Sequence, residues 1–205
     1  MPGKDVDATI VMGVTEGTYD PEHHHVISDA SCTTTCVAPM VKVLDDHFGV
    51  VKGLMTTIHG YTNGQVVLDG PHKDPRWGHS VAVNIIPTTT GAARAVVLVL
   101  PELAGALDGS AVRVPVEDGS LTDRIVALER AVSAEEINAV YRGAAEGPPK
   151  DVLPVSDAPI ASRDVVGAPP RASWTPPSPR PTVVKVFGWY DNEWLSSPCS
   201  GRYRG

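Results

Sequence analysis

The hexapeptide Ser-Cys-Thr-Thr-Thr-Cys at residues 31–36 constrains the fold of this chain more than any other stretch. Apolar side chains follow it at helical spacing, at Val37, Met40, Val41 and Leu44, so the hydroxyl-rich hexapeptide is expected to open a helix. Gly49 is expected to end this helix, and Pro39 to kink it or to delay its regular part.

Cys32 is a candidate nucleophile because of its place at that helix start. Helix N-termini and a nearby imidazolium lower the pKa of a thiol and so raise the fraction of reactive thiolate. The alternative is an ordinary core cysteine, since cysteine is among the residue types most often buried. A zinc ion on Cys32 and Cys36 would lack two ligands, and the adjacent histidines at 23–25 lack the usual ligand spacing, so no metal site is expected.

A strand is predicted over residues 51–59, ending at His59, and functional side chains often emerge at such strand ends. Another short buried strand is predicted over Ala8–Val14. Residues 60–87 show neither helical nor strand periodicity and are interrupted by glycine and proline. A loop this long in a compact domain is either disordered or functional, and Trp77 argues against plain disorder.

A second hydroxyl-rich helix start, Thr88–Gly91, precedes a predicted helix over Ala92–Leu100. Backbone amides and threonine hydroxyls at a helix start can bind phosphate, although most such residues cap only their own helix. Strands are predicted over residues 109–116 and 120–128, with Asp118–Gly119 joining them as a hairpin. Arg113, on the first of these strands, requires either a bidentate anion or a salt bridge, and the sequence leaves both open.

The local patterns in the last third of the chain predict secondary structure and no further catalytic group. Ser133–Glu136 is a capping box that opens a helix, and a final strand is predicted over Thr182–Tyr190. The proline-rich stretch Ala168–Thr182 is expected to be extended or irregular. The fold expected from these elements is α+β: a mixed, mostly antiparallel sheet covered by helices on one face, with the other face available for subunit contact.

Composition excludes several classes of protein. Of the 205 residues, 42% are apolar and 20% charged, enough for the core of one domain or at most two. A net charge of −7 without a Lys/Arg cluster argues against nucleic-acid or membrane-surface binding. No apolar run is long enough for a membrane helix, no signal peptide is evident, and three cysteines are too few for a disulfide framework. A soluble, cytoplasmic protein is expected.

Seven motifs in order carry a resemblance to a known family: Val6–Val14, Ser31–Cys36, His59–Thr62, Pro71–Asp74, Asn84–Ala93, Arg113–Pro115 and Trp189–Trp194. The chain resembles the catalytic half of phosphorylating glyceraldehyde-3-phosphate dehydrogenase, in its bacterial form, over residues 6–194. The resemblance implies that Cys32 attacks the aldehyde and that His59 activates the thiol and takes the hydroxyl proton as hydride leaves for NAD. Inorganic phosphate would then cleave the thioester.

The resemblance also implies binding roles. The site for the attacking phosphate would be formed by Ser31, Thr33, Thr90 and Gly91. Thr62 and Arg113 would bind the phosphate of the substrate, a small phosphorylated aldehyde, and Asn192 would hold the nicotinamide carboxamide of NAD. Residues 60–87 correspond to the S-loop of the family, which packs against a neighbouring subunit and its cofactor.

Among the departures of the sequence from the family pattern, two concern the cofactor site and the active-site motif. No two glycines are separated by one residue, so the G-x-G-x-x-G fingerprint of the N-terminal NAD-binding domain is absent, and we expect that domain to be missing. Residues 1–30 would be its remnant, residues 31–194 the catalytic domain and residues 195–205 a frayed tail. Asp29 and Thr35 stand where the family has asparagine, and the carboxylate of Asp29 would oppose thiolate formation if it lies close to Cys32.

Three functions remain open from the sequence. The first is a dehydrogenase of glycolysis that works as a homo-oligomer, or as a hetero-oligomer with a full-length paralogue. The second is a degenerate, non-enzymatic homologue that serves as an oligomerisation or interaction partner. The third is an acyl-transfer remnant that needs no NAD, because a cysteine and a histidine suffice to attack an ester.

Overall fold

A computed structural model describes residue 3 and residues 5–147, 153–173 and 182–194 of the chain. In chain order its helices and strands are β1 (Ala8–Thr9), β2 (Ile27–Ser28), α1 (Cys32–Phe48), β3 (Val50–Gly60), β4 (Ile86–Thr89), α2 (Ala92–Val97), β5 (Leu107–Val114), β6 (Ser120–Leu128), α3 (Ala134–Glu146), β7 (Val155–Ser156), β8 (Arg171–Ser173) and β9 (Val183–Tyr190). No helix in this part of the chain is long and apolar enough to cross a membrane.

The predicted α+β fold is confirmed. Within the described ranges, seven strands form one sheet in the order β4-β5-β3-β6-β9-β8-β7. The β3–β5 and β7–β8 pairs are parallel, and the other neighbours in this sheet are antiparallel. The first two strands, β1 and β2, pair in parallel apart from this sheet.

Helix α1 covers one face of the sheet. Its side chains Cys36, Met40 and Leu44 are fully buried and belong to one core cluster with Val126 of β6 and Val186 of β9. A second cluster forms where Val37 and Val41 of the same helix meet α2 and Met55 of β3. The helix is continuous through Pro39, so the predicted delay is wrong: regular structure begins at Cys32, where the Ser31 side chain accepts a hydrogen bond from the Thr34 amide.

Gly188 of β9 allows this helix to lie close to the sheet. A Cβ built on Gly188 would lie 2.6 Å from Met40 Sδ and 2.9 Å from Cys36 Sγ, closer than real Cβ atoms approach other atoms. It would also lie 2.9 Å from Thr122 Oγ1 of the neighbouring strand. Only a residue without a side chain fits between the helix and these strands.

Three sequence-based expectations about strands and helices are wrong. The pair β5 and β6 does not form a hairpin, because β3 lies between them and pairs with both. The Asp118–Gly119 signal specifies a local turn, with φ of +89° at Gly119, but not which strands become neighbours. The strand predicted over Ala8–Val14 stops at Thr9, since a turn with φ of +78° at Gly13 follows. Helix α2 ends at Val97 rather than Leu100.

Other predictions agree with the structure. The capping box at α3 is present, with the Ser133 side chain bonded to the Glu136 amide and the Glu136 side chain to the Ser133 amide. The long loop after β3 contains one 3-10 turn, Pro75–Gly78, and closes on itself through a hydrogen bond from the Val81 amide to the Val66 carbonyl. The proline-rich stretch includes β8, and its residues 174–181, like the tail after residue 194, lie outside the described residues.

The face of the sheet opposite α1 exposes apolar side chains. Leu54 of β3 and Ile125 of β6 lie side by side in the strand register and are 65% and 49% exposed. Ile58, Leu121 and Trp189 form another cross-strand row on this face. We refer to the surface around Leu54, Ile125, Ile58, Leu121 and Trp189 as the open face.

Candidate functional site

The structure brings Cys32 and His59 together. Cys32 is the first residue of α1, and His59 is the next-to-last residue of β3. The Sγ of Cys32 lies 3.6 Å from Nε2 of His59, within hydrogen-bonding distance for sulfur. The two residues are 27 positions apart in sequence, and their contact follows from the packing of the helix start over the end of the strand.

Nδ1, the other ring nitrogen of His59, lies in a polar cluster. It lies 2.7 Å from the Gly60 carbonyl oxygen and 2.5 Å from Nη1 of Arg113. The same Nη1 donates to the Gly60 oxygen at 2.9 Å. Arg113 lies beside His59 because β3 and β5 are parallel neighbours and their register pairs these two residues. The Tyr190 ring packs edge-on against the imidazole, with centroids 5.8 Å apart.

Burial dominates the electrostatics of the pair. It raises the pKa of the Cys32 thiol above its ordinary value, although Thr33 and the charge of Arg113 act in the opposite direction. Burial, with a further contribution from Arg113, lowers the pKa of His59 to about 4. At neutral pH the resting pair is therefore a neutral thiol beside a neutral imidazole.

Two sequence-based expectations about Cys32 are corrected by this result. Its pKa is raised rather than lowered, because the desolvation of the first helical turn outweighs the favourable effect of the helix N-terminus. The largest cause of the rise is burial, not the carboxylate of Asp29, whose own pKa is raised by burial as well.

Arg113 has a buried nitrogen atom without a hydrogen-bond partner in the described part of the chain. This atom is its Nε. Within the same ranges no carboxylate oxygen lies within 4.0 Å of its guanidinium, so the salt-bridge alternative is not realised there. A buried guanidinium nitrogen without a partner is costly, and a tetrahedral oxyanion is the ligand that a guanidinium fork binds best.

The hydroxyl of Thr62, the other residue predicted to bind the substrate phosphate, is held by Gln65. The Oε1 atom of Gln65 accepts hydrogen bonds from the Thr62 amide at 2.9 Å and from Thr62 Oγ1 at 3.2 Å. Sequence analysis did not find Gln65, which is 7% exposed. A glutamine three residues after a candidate threonine was the available signal.

The four residues predicted to bind the attacking phosphate fall into two pairs. Ser31 and Thr33 belong to the start of α1, where Ser31 caps the helix and Thr33 Oγ1 lies 2.8 Å from the Tyr190 hydroxyl. Thr90 and Gly91 belong to the start of α2, where Thr90 Oγ1 accepts from the Ala92 amide at 3.1 Å. No hydrogen bond in the described part of the chain joins one pair to the other.

Asn192 is tied to the end of β3 by Ser120. The Gly60 amide donates to Ser120 Oγ at 3.0 Å, and this hydroxyl donates to Asn192 Oδ1 at 2.5 Å. The Asn192 backbone amide donates to Asp118 Oδ1 at 3.1 Å. A Cβ on Gly60 would lie 3.0 Å from Asn192 Oδ1, so a larger residue at this position would displace the amide. Sequence analysis gave no role to Ser120.

Comparison with known proteins matches most of the chain to one family. The sequence profile described as "Glyceraldehyde 3-phosphate dehydrogenase, C-terminal domain" matches residues 31–192, which is most of the chain. The chain belongs to the glyceraldehyde-3-phosphate dehydrogenase family. The predicted family resemblance is thereby confirmed, and the fold described above is the one expected for this domain of glyceraldehyde-3-phosphate dehydrogenase.

Curated relatives from the glyceraldehyde-3-phosphate dehydrogenase family match nearly the whole chain. The glyceraldehyde-3-phosphate dehydrogenase of Streptomyces coelicolor is 57% identical over 199 residues, which cover 94% of the chain and 59% of the relative. "Glyceraldehyde-3-phosphate dehydrogenase 2" of Streptomyces avermitilis is 55% identical over 196 residues, covering 94% and 58%. The Geobacillus stearothermophilus enzyme is 52% identical over 195 residues, with the same shares. The chain thus spans a little under three fifths of the length of these relatives.

Proposed function

We propose that the chain supplies the catalytic half of a dehydrogenase that oxidises a small phosphorylated aldehyde through a cysteine thioester. NAD would be the hydride acceptor, and inorganic phosphate would release the product from the cysteine. The reaction would take place in the cytoplasm. The observation that carries this proposal is the 3.6 Å contact between Cys32 Sγ and His59 Nε2 beside a buried, unpartnered guanidinium nitrogen of Arg113. Nucleophile, base and anion-binding group are thus adjacent.

The proposed chemistry begins at the Cys32 thiol. Nε2 of His59 takes the thiol proton as the sulfur attacks the aldehyde carbon and passes it to the former carbonyl oxygen, which gives a C–S bond and the hydroxyl of a thiohemiacetal. His59 then takes the hydroxyl proton while hydride leaves the same carbon, so the aldehyde is oxidised by two electrons to a thioester. NAD, when bound, accepts that hydride. Attack of phosphate on the thioester carbon breaks the C–S bond and gives an acyl phosphate and the free cysteine.

The two phosphates are assigned to different parts of the site. Arg113 and Thr62 would bind the phosphate of the substrate, and Arg113 is the stronger assignment because its buried Nε needs an acceptor. Ser31 and Thr33, with Thr90 and Gly91, would bind the attacking phosphate. In the resting site the hydroxyls of Thr62 and Thr33 are bonded to Gln65 and Tyr190, so they would take a phosphate as a second partner.

Asn192 would hold the nicotinamide end of NAD. Its Oδ1 already accepts from Ser120 and its Nδ2 donates one hydrogen to Glu193 Oε1 at 3.3 Å, which leaves the other Nδ2 hydrogen as the donor for a ligand carbonyl. These residues fit the carboxamide of the cofactor and no more of it. We propose that the rest of the NAD site comes from a nucleotide-binding domain like the part of the relatives that the chain does not match.

The proposal is tested by joining the chain to that part of the Streptomyces coelicolor relative. We expect the joined protein to form NADH from glyceraldehyde 3-phosphate, NAD and phosphate, and the Cys32→Ser variant to lose this activity. Cys36→Ser is the matched control, because Cys36 is buried in the core one helical turn away. A joined protein that binds NAD and folds but forms no NADH would contradict the proposal.

The open face supports the second candidate function, assembly with another subunit. We propose that a second copy of the chain, or a full-length paralogue, packs on this surface, because exposed Leu54 and Ile125 adjoin the row of Ile58, Leu121 and Trp189. Leu54→Lys is expected to shift the chain towards monomer in light scattering. Leu98→Lys, which changes an exposed leucine after α2, is the matched control. A monomeric wild-type chain at all concentrations would contradict the assembly.

A further inference from the structure

Two carboxyl groups, those of Asp118 and Asp191, lie against each other beside Asn192. Asp118 lies in the turn between β5 and β6, Asp191 directly follows β9, and their side chains are hydrogen-bonded to one another. A hydrogen bond between two carboxyl groups requires one proton, because an ionised carboxylate only accepts. In the part of the chain that the structure describes, no Lys, Arg or His nitrogen lies within 4.0 Å of either carboxyl. A shared proton, and not a cation, therefore relieves the repulsion within the pair.

Backbone contacts assign this proton to Asp118. Both oxygens of Asp191 accept from backbone amides, two amides at Oδ1 and one at Oδ2, at 2.6–2.9 Å. The amides that bond to Asp118, those of Gly119 at 2.7 Å and Asn192 at 3.1 Å, both use its Oδ1. Amide donors stabilise a charged carboxylate, so Asp191 is the ionised partner and Oδ2 of Asp118 carries the proton.

The electrostatics of the two carboxyls agree with this assignment. Burial, and then the charge of Asp191, raise the pKa of Asp118 above its ordinary value. Burial acts on Asp191 in the same direction, but the backbone amides that bond to it outweigh burial and lower its pKa. Two neighbouring carboxyls whose pKa values move apart in this way hold one proton between them over a range of pH.

We propose that Asp118, through the proton that it shares with Asp191, is a positioning residue that fixes Asn192 for the nicotinamide end of NAD. In the protonated pair, Asp118 holds the Asn192 backbone amide and the Asp191 carboxyl together. When the proton leaves to solvent, two adjacent carboxylates repel each other and the backbone at 191–192 is released from Asp118. The inference rests on the proposed function, since Asn192 is the residue assigned there to the cofactor.

The side chain of Asn192 depends on this backbone contact. Its Oδ1 accepts from the Ser120 hydroxyl at 2.5 Å, which sets the direction in which Nδ2 points. Ser120 is fixed in β6, whereas Asn192 follows the end of β9 and is held on its backbone by Asp118. Movement of that backbone away from Asp118 would therefore separate the side-chain amide from Ser120 and turn Nδ2 away from a bound carboxamide.

Other charged side chains near the pair have partners of their own. Glu117, next to Asp118, forms an ion pair with Arg163 of the 3-10 turn at residues 162–165. Asp164 of the same turn accepts from a backbone amide at 2.8 Å, and Glu193 accepts from the Asn192 side chain at 3.3 Å. The pH response expected at Asn192 is therefore assigned to the two aspartates.

Carbon NMR of the aspartate side chains tests the proposal on the chain itself. The Asp118 carboxyl is expected to titrate above the ordinary pKa of an aspartate, and the Asn192 backbone amide should shift with the same midpoint. Asp108 is the internal control, because it is exposed and accepts from the amide of the following glycine at 2.8 Å, as Asp118 does. Its titration should leave the Asn192 amide unchanged. An Asp118 that titrates at or below the ordinary value, or an Asn192 amide that does not follow it, would overturn the proposal.

Asp118→Asn replaces the titrating donor with an amide that keeps its hydrogens at every pH. A group whose pKa is raised by folding contributes stability that is lost as the pH rises through the raised value. Between about pH 4 and pH 8 the urea midpoint of the wild type should therefore fall by roughly 0.3–0.8 M relative to Asp118→Asn, the range set by one net hydrogen bond. The titration of His59 is common to both proteins and cancels in this difference.

Two further variants separate the shared proton from general damage to the turn. Asp191→Asn should be destabilised at every pH, because its side-chain amide replaces one of the oxygens that accept from the backbone. Asp108→Asn is the matched control and should keep the wild-type pH dependence. A midpoint difference between the wild type and Asp118→Asn that stays constant with pH would contradict the shared proton.

NAD binding by the joined protein gives a readout that a purely structural role would not change. The dissociation constant for NAD, measured by calorimetry, should rise by roughly three- to tenfold over the same pH range in the wild type. Asp118→Asn should keep the tighter, low-pH value throughout. Asp108→Asn should follow the wild type.

Failure of this proposal and failure of the proposed function give different results. If Asp118→Asn retains the pH dependence of NAD binding while the joined protein forms NADH, the positioning role is wrong and the proposed function stands. If the joined protein forms no NADH while Asp118 and the Asn192 amide titrate together in the chain, the positioning role stands without the dehydrogenase reaction.

Discussion

The two hydroxyl-rich helix starts look alike in the sequence and differ in the structure. At α1, Ser31 caps a helix of 17 residues, and Thr33, Thr34 and Thr35 are all buried. At α2, Gly91 precedes a helix of six residues without a side-chain cap, and Thr90 bonds only the nearby Ala92 amide. The difference lies in what each start packs against, because only the first is fixed to β9 through the Thr33–Tyr190 hydrogen bond. A run of threonines indicates a helix start, and packing decides whether it becomes part of a rigid site.

The largest expected effect is a difference in alkylation rate between Cys32, in the first turn of α1, and Cys36, in the second. Iodoacetamide should modify Cys32 on the order of a hundredfold faster than Cys36 at pH 8, because Cys36 is fully buried and burial raises its pKa to about 11. Peptide mapping after timed alkylation measures both rates. Equal rates would mean that the first turn is not the accessible end of the helix.

The next largest expected effect is a pH dependence of folding stability. It arises at the start of α1 and not at the start of α2, because His59 packs against the first of these. The pKa of His59 is about 4 in the folded chain and about 6.5 unfolded, so the unfolded chain binds the extra proton between these values. Folding stability is therefore lost as pH falls below about 6.5, by roughly 2 kcal/mol at pH 5. Urea unfolding at pH 7.5 and pH 5 should show this loss in the wild type. His59→Gln should remove that component, and an unchanged pH dependence in this variant would contradict it.

Threonine-to-valine substitutions compare the two starts directly. Thr33→Val leaves the fully buried Tyr190 hydroxyl without its Thr33 partner and should cost about 1–3 kcal/mol of unfolding free energy. Thr90→Val removes one local hydrogen bond, from the Ala92 amide to Thr90 Oγ1, and should cost about 0.5–1 kcal/mol. Urea titration of both variants measures the difference, and Tyr190→Phe with Thr33→Val should recover part of the loss. A larger cost at Thr90 would reverse the comparison.

The smallest effect is expected at Gly91. An added Cβ meets nothing within 4 Å, and Gly91 itself makes no side-chain hydrogen bond at the helix start, so Gly91→Ala should change the unfolding free energy by less than about 0.5 kcal/mol. The same measurement would show a clear loss if Gly91 were as tightly enclosed as Gly188. In the joined protein, a large loss of phosphate affinity in this variant would instead indicate close approach of the ligand.

Features determined by local sequence were predictable, and those determined by distant packing were not. The capping box of α3 involves Ser133 and Glu136 alone, and it forms as predicted. The predicted hairpin between β5 and β6 does not form, because β3, from an earlier part of the chain, lies between these two strands. Motif order sufficed to identify Cys32 and His59 as a pair of candidates, since their helix and strand were both readable.

The supporting residues of the site could not be found in the same way. Ser120 has no sequence signal, because its role depends on Asn192, 72 positions away. The direction of the Cys32 pKa shift was mispredicted because helix position is visible in a sequence and burial is not. The catalytic roles of Cys32 and His59 stay predictions, as do the binding roles of Ser31, Thr33, Thr62, Thr90, Gly91, Arg113 and Asn192.

Gly188 acts as the spacer of the site. The missing side chain lets Cys36 and Met40 rest almost on the β9 backbone, and Cys32 begins the same rigid helix one turn earlier. A side chain at Gly188 would push the helix away from the sheet by about 1 Å, and Cys32 Sγ would move with the helix. The distance from sulfur to imidazole thus depends on a residue of the sheet beneath the second turn of the helix.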